Sequence, residues 1–257
     1  MTLEKRFNME TDTSLDLSIG RLLLLTFVPA ILMLAIIVVL TVFFSDVIPP
    51  TLSQMIAILL VLVPFELGVI LYTSKKEYGR CSLKSAFIYN NKLSIGKLLL
   101  KTLLPLIIAI VAVMIIKPFE NQFMFDTIFK FVPESFKHDD FVNQVNSYPK
   151  VTIIISCIAM ILLNGFAAPI VEELYFRGFI MPRLSRFKGF APVITTVLFS
   201  LYHLFSPWEN ITRIVAMMPY HFVVWKEKNI YIGIVLHCFL NVLSSIFFTV
   251  TMFQLMA

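Results

Sequence analysis

Three short patterns of ionisable and amide side chains stand inside, or at the ends of, long apolar runs: Glu172-Glu173-x-x-x-Arg177, Phe199-x-x-x-His203 and His237-x-x-x-Asn241. An ionisable group in the middle of a membrane helix costs roughly 2.5–3.5 kcal/mol on insertion scales, so its presence calls for a function. The types present suit the activation of water. A carboxylate in apolar surroundings is a stronger base than one in bulk water. A neutral imidazole opposite it can share the bound water. A second imidazole and an amide can supply hydrogen-bond donors to an oxyanion, each worth about 10²–10³ in rate. No serine stands at a spacing that marks a nucleophile, Ser200 and Ser244 included.

Helical spacing adds geometry. Glu173 and Arg177 are i, i+4 in the favourable order and can pair on one face, while Glu172 is turned about 100° away towards a different neighbour. His237 and Asn241 share a face, as do Phe199 and His203. Asn164, Gly165, Ala167 and Ala168, just upstream of the glutamates, allow a second helix to approach closely. At a rise of 1.5 Å per residue, Glu172, His203, His237 and Asn241 lie about 10–20 Å along their spans. They therefore share one slab, at or on the cytosolic side of the bilayer middle.

The elements that must hold them are apolar helices. The chain is 58% hydrophobic and 14% charged, with a mean hydropathy of +0.87, which predicts an all-α, polytopic membrane bundle and excludes an ordinary soluble domain. Seven segments are long or nearly long enough to cross: about 19–45, 53–73, 97–116, 151–176, 190–205, 208–225 and 230–252. The first follows about 20 mostly polar residues, with Glu4, Glu10, Asp12 and Asp16, and runs past 20 apolar ones, unlike a cleavable signal. Neither end carries a lipidation motif. Residues 1–150 read as N-terminal helices with their loops, and 151–252 as the catalytic core.

The net charge of +5 reads as topology rather than nucleic-acid affinity. With the N-terminus cytoplasmic, the inner segments hold Lys5, Arg6 and Arg21; Lys75, Lys76, Arg80, Lys84, Lys92, Lys97 and Lys101; Arg177, Arg183, Arg186 and Lys188; and Lys226 and Lys228, which is 16 of the 21 basic residues. The outer segments hold Lys117, Lys130, Lys137 and Lys150, with Arg213 early in the sixth span. This is the positive-inside asymmetry, and it places the C-terminus outside.

Residues 74–96 form a basic connection whose middle, with Leu83, Ala86, Phe87 and Leu93, reads either as an eighth, interfacial helix or as a charged loop. The outer loop 117–150 carries Phe119, Phe123, Phe125, Phe129, Phe131, Phe136 and Phe141, and is expected to lie on the outer leaflet or over the bundle. Cys81, Cys157 and Cys238 have no paired spacing, so no disulfide framework is expected.

The stretch Ala168-Pro169-Ile170-Val171-Glu172-Glu173-Leu174-Tyr175-Phe176-Arg177-Gly178, followed by Phe199-x-x-x-His203 and His237-x-x-x-Asn241, resembles the CPBP family. These are the CAAX-protease and bacteriocin-processing intramembrane endopeptidases, also called Abi proteins, and the likeness covers about residues 150–250. It implies that Glu172 and His203 activate the attacking water and that His237 and Asn241 stabilise the oxyanion. It also implies that Glu173 and Arg177 form a supporting pair and that Phe199 packs in the site wall. Family members often carry a glycine-rich helix between the second and third motifs. Here that stretch is Met217-Met218-Pro219-Tyr220-His221-Phe222, and no feature implies prenylated substrates.

The expected function is therefore hydrolysis of a peptide bond in a membrane-associated peptide or protein, presented from the cytosolic side, with no cofactor. Zinc on Glu172, His203 and His237 is the open alternative, although the ligands would come from three helices. Two other classes stand beside it: a non-enzymatic protein of bacteriocin self-immunity, and a transporter using Glu66, Glu172 and the histidines, which lacks inverted repeats. Glu66, beside Pro64, reads as neutral and hydrogen-bonded. His221, beside Pro219, has no role in the motifs.

Overall fold

The computed structural model describes residues 15–133 and 145–256; Glu4, Lys5, Arg6, Glu10, Asp12, Phe136, Lys137 and Phe141 lie outside them. Among the described residues seven long helices follow one another: α1 (Ile19–Phe43), α2 (Pro50–Tyr78), α3 (Ile95–Asp126), α4 (150–180), α5 (Ala191–Tyr202), α6 (Asn210–Glu227) and α7 (Tyr231–Met256). Among the described residues there is no strand, only an isolated bridge between Asn90 and Asn229.

These seven helices coincide with the seven apolar segments, but among the described residues five helical runs are long and apolar enough to cross a bilayer. These are α1, α2, α3, the 53-residue run Lys150–Tyr202 that contains α4 and α5, and α7. At 12 residues α5 is about 18 Å long, and α6 carries Arg213, Lys226 and Glu227 within its 18 residues. The chain is a multi-pass membrane protein.

Local chemistry explains where the rods start and bend. Ser18 and Ser94 accept hydrogen bonds from the backbone N–H groups of Arg21 and Lys97, satisfying first-turn donors of α1 and α3. Gly79, at φ 74°, ends α2 in the left-handed region that a glycine enters freely. Three stretches wind as wider, π-type turns: Ile58–Leu62, Met160–Ala167 and Glu173–Ile180. Each is followed two residues later by a proline, Pro64, Pro169 or Pro182. Proline has no N–H to close the ladder and clashes with the carbonyl four residues back, so the turn before it opens.

After Ile180 the chain leaves helical geometry at Arg183, Leu184 and Lys188, and restarts as α5. That break is held from several sides. Arg183 donates to both Glu77 carboxylate oxygens at 2.8 and 2.9 Å and to the Ser85 and Phe179 carbonyls at 3.0 Å. Asp16 accepts from the backbone N–H groups of Ser185 and Arg186.

The basic connection is not an interfacial helix. Its regular structure is one three-residue turn, Lys84–Ala86, with Ser85 and Ala86 buried against the bundle. A Cβ on Gly178 would strike the Ala86 carbonyl, so the absence of a side chain lets α4 rest directly on this turn. The connection also bonds the α6–α7 turn: Ile230 N–H donates to the Tyr89 carbonyl, and Asn91 N–H to the Lys228 carbonyl. Small residues under a helix favour such packing over a lipid-facing surface. On the opposite end, α3 runs on to Asp126, and Phe125 and Phe129 pack on Trp208 with ring centroids 4.9 and 5.9 Å away. Phe119, Phe123 and Phe131 stay exposed. The three cysteines are free.

Candidate active site

Residues 171–184 are buried without interruption, so this part of α4 is enclosed on every side by other helices. Glu172 and Glu173 lie at its upper end. Because neighbouring residues on a helix diverge by about 100°, their carboxylates serve different partners.

The Glu172 carboxylate stands between two imidazoles. His203 Nε2 is 3.9 Å from one oxygen and His237 Nε2 is 3.9 Å from the other. A single water about 2.8 Å from both members of either pair fits this separation. The far ring nitrogens set the tautomers. His203 Nδ1 lies 2.7 Å from the Phe199 carbonyl, which can only accept, so Nδ1 carries the proton. His203 follows the last residue of α5 and its backbone has left the helix, so the ring turns back over its own last turn. His237 Nδ1 lies 3.0 Å from Glu173 Oε1 and donates to it. In both histidines Nε2 therefore faces Glu172.

Glu173 collects donors from three helices. Besides His237 it meets Arg177 at 3.2 Å and accepts from the Tyr220 hydroxyl at 3.0 Å, and Glu173 and Arg177 are both 0% exposed. Arg177 also contacts the Tyr220 hydroxyl and His221 Nε2, and His221 Nδ1 contacts the Thr196 hydroxyl, which donates to the Pro192 carbonyl. A polar chain thus runs from α5 through α6 to α4 and α7, and ends on the imidazole beside Glu172. Phe199 seals it: its ring lies 4.1 Å from the Arg177 guanidinium carbon, 4.8 Å from the His203 ring and 5.7 Å from that of His237.

All seven motif residues lie in one neighbourhood. Asn241 sits one turn beyond His237 and spends one amide proton on the Asn164 carbonyl at 3.0 Å, leaving the second for another acceptor. Four residues outside the motifs join the constellation. Tyr220, His221 and Thr196 carry the chain just described. Gly233 makes room for it, since a Cβ there would strike Glu173 Oε2. The signal for Gly233 was its place one turn before His237; for Tyr220 and His221 it was two polar residues together in an apolar helix. Glu66 is fully buried, with the Tyr202 hydroxyl as its hydrogen-bonding neighbour and Glu172 within electrostatic reach.

A cavity of about 540 Å³ borders this cluster, with Glu172, Phe199, His203, His237 and Asn241 in its wall. Two imidazoles and a carboxylate are the donor types of a three-ligand zinc site. Ligands 2.0–2.1 Å from a tetrahedral zinc lie about 3.3 Å apart, against the 3.9 Å spacings here. Among the described residues, no group of three or more His, Cys, Asp or Glu is placed to hold an ion.

Residues 154–243 match the family described as type II CAAX prenyl endopeptidase Rce1-like, a segment that contains every residue of the constellation. This segment belongs to the CPBP (Abi) family. The CPBP match starts in α4 and ends in α7, and it rests on a family of membrane proteases. No curated protein and no solved structure matches the chain.

Proposed function

We propose that this protein is an intramembrane endopeptidase in which Glu172 is the general base. The observation that carries this reading is the Glu172 carboxylate held 3.9 Å from an imidazole Nε2 on either side, in the wall of a cavity. Water bound between Glu172 and His203 gives a proton to the carboxylate as its oxygen attacks the scissile carbonyl carbon. The carbonyl oxygen becomes an oxyanion, met by the free amide proton of Asn241 and by His237. With Glu173 behind Nδ1, His237 can take up a proton and present Nε2–H, the logic by which a carboxylate supports an imidazolium in hydrolases. Collapse breaks the C–N bond, and the proton that Glu172 took from the water passes to the leaving amine.

The wide spacing of Glu172, His203 and His237 supports a water rather than a resident metal. Chelator treatment is then expected to leave cleavage unchanged, and loss restored by added zinc would reverse this part of the reading. The family resemblance makes CAAX-type and peptide-precursor substrates the first to try.

The test compares membrane-peptide ends, by mass spectrometry, in cells producing wild type, Glu172→Gln or His203→Ala at matched levels. New ends are expected with wild type only. Identical profiles in all three, with any wild-type phenotype retained by the variants, would favour the non-enzymatic immunity role.

A further inference from the structure

The lining of the cavity runs from Glu172 away from the basic surface. From Glu172 towards the basic face the path is filled by Glu173, Arg177, Tyr220 and His221, all fully buried or nearly so, and below them by the Lys84–Ala86 turn on Gly178. In the other direction the wall follows α4 through Ala168, Asn164 and Met160, one residue per turn, and α7 through Asn241, Ser244 and Thr251. It reaches Thr51 at the start of α2 and Asn121 near the end of α3. The exposed lining residues, Ser244 and Phe247, belong to this far half, Phe247 being 76% exposed, and the ion-paired Lys117 there is partly exposed.

These positions fix a direction. α3 and α7 leave the basic face, and α2 and α4 return to it, so the cavity mouth lies at the end poor in Lys and Arg. By the positive-inside asymmetry that end is extracytoplasmic. The far half also has the dimensions of a peptide track. From His237 to Thr251, 14 residues of α7 span about 21 Å, which is the length of roughly six extended residues. The cavity walls include Met33, Ile58, Leu62, Phe205, Met217 and Phe248, which favour apolar side chains, while the charged lining residues Lys117, Glu209 and Arg213 are ion-paired with one another. Polar groups recur along it for the peptide backbone, including Gln54, Asn121 and Asn164.

Resting on the hydrolytic reading above, we infer that the substrate is an apolar, extended segment of a membrane-bound peptide that enters from the extracytoplasmic half of the bilayer, between α3 and α7. This reverses the cytosolic presentation expected from residue depth alone. Depth gave the position of the catalytic groups but not the side from which they are reached.

The experiment uses a membrane-impermeant bulky maleimide on right-side-out and inverted vesicles. Ser244→Cys and Thr251→Cys, each in a Cys81→Ser background, report on the cavity, and native Cys81 reports on the basic face. The expected result is labelling of Ser244→Cys in right-side-out vesicles and of Cys81 in inverted vesicles only. Cleavage by the labelled Ser244→Cys protein should fall at least tenfold relative to the same protein unlabelled. The opposite labelling pattern, or full cleavage after labelling, overturns the route while Glu172→Gln still abolishes activity. If Glu172→Gln cleaves like wild type, the hydrolytic reading itself fails and takes the route with it.

Discussion

Gly233→Ala adds one methyl group one turn before His237 and tests how the imidazole is held. The new Cβ would overlap Glu173 Oε2 and lie 3.0 Å from its carboxyl carbon. Glu173 has nowhere to retreat, because it is 0% exposed and fixed by Arg177, Tyr220 and His237. Overpacking of this kind costs about 1–3 kcal/mol. If the carboxylate yields by turning away from α7, its charge-assisted hydrogen bond to His237 Nδ1 is lost, worth about 1.5–3 kcal/mol. Should that loss appear fully in the transition state, kcat/KM falls about 10- to 150-fold. The assay is cleavage kinetics in detergent beside a thermal melt, with Gly68→Ala as the control, since a Cβ at Gly68 meets nothing within 4 Å. Wild-type kinetics with an unchanged melting temperature in Gly233→Ala would refute the argument that Glu173 is locked against α7.

Gly178→Ala is expected to be the more destabilising glycine change, because its Cβ meets the Ala86 backbone carbonyl rather than a side chain that can move; a melt within a degree of wild type would contradict this. Arg183→Lys removes the two-pronged contact to Glu77 and both carbonyl contacts, and should cost about 2–3 kcal/mol in chemical denaturation, with Glu77→Gln costing less. Glu66→Gln should leave cleavage within a few-fold of wild type, since neither oxygen bonds a catalytic group; complete loss would make Glu66 part of the proton path. Phe199→Ala strips the ring that covers Arg177 and both imidazoles, so it should lower stability by about 3–5 kcal/mol, while Phe199→Leu keeps most of the packing and should be folded but slow.

Hydropathy alone located all seven helices, because each is an apolar run bounded by charged or turn-forming residues. It did not settle how many of them cross, since α5 and α6 owe their place to packing as much as to lipid. The i, i+4 spacings foretold the Glu173–Arg177 pair, and the divergence of Glu172 from Glu173 foretold that they face different neighbours. What spacing could not reach was contact between distant segments. Nothing local says that Ser85 and Ala86 fold under α4, or that Tyr220, His221 and Thr196 line up behind Arg177. Gly233 shows the limit best: only the position of Glu173 on another helix makes its missing side chain necessary.

The proposed hydrolysis in an apolar bundle needs two incompatible surroundings, and their separation along α4 fits that proposal. Glu172 must meet water, and it sits in the wall of a cavity that also carries Asn164, Ser244 and Thr251. Glu173, one residue on, is shut away from water and sealed among Arg177, Tyr220 and His237. The 100° turn between consecutive helical residues lets one dipeptide serve both sides of that boundary. His237 is the side chain that touches both, with Nδ1 in the sealed half and Nε2 in the wet one. A change confined to the sealed half, such as Tyr220→Phe, should therefore act through His237. It removes a donor to Glu173 while leaving Glu172 and His203 in place, so kcat should fall with little change in KM. A rise in KM at constant kcat would instead place Tyr220 in substrate binding.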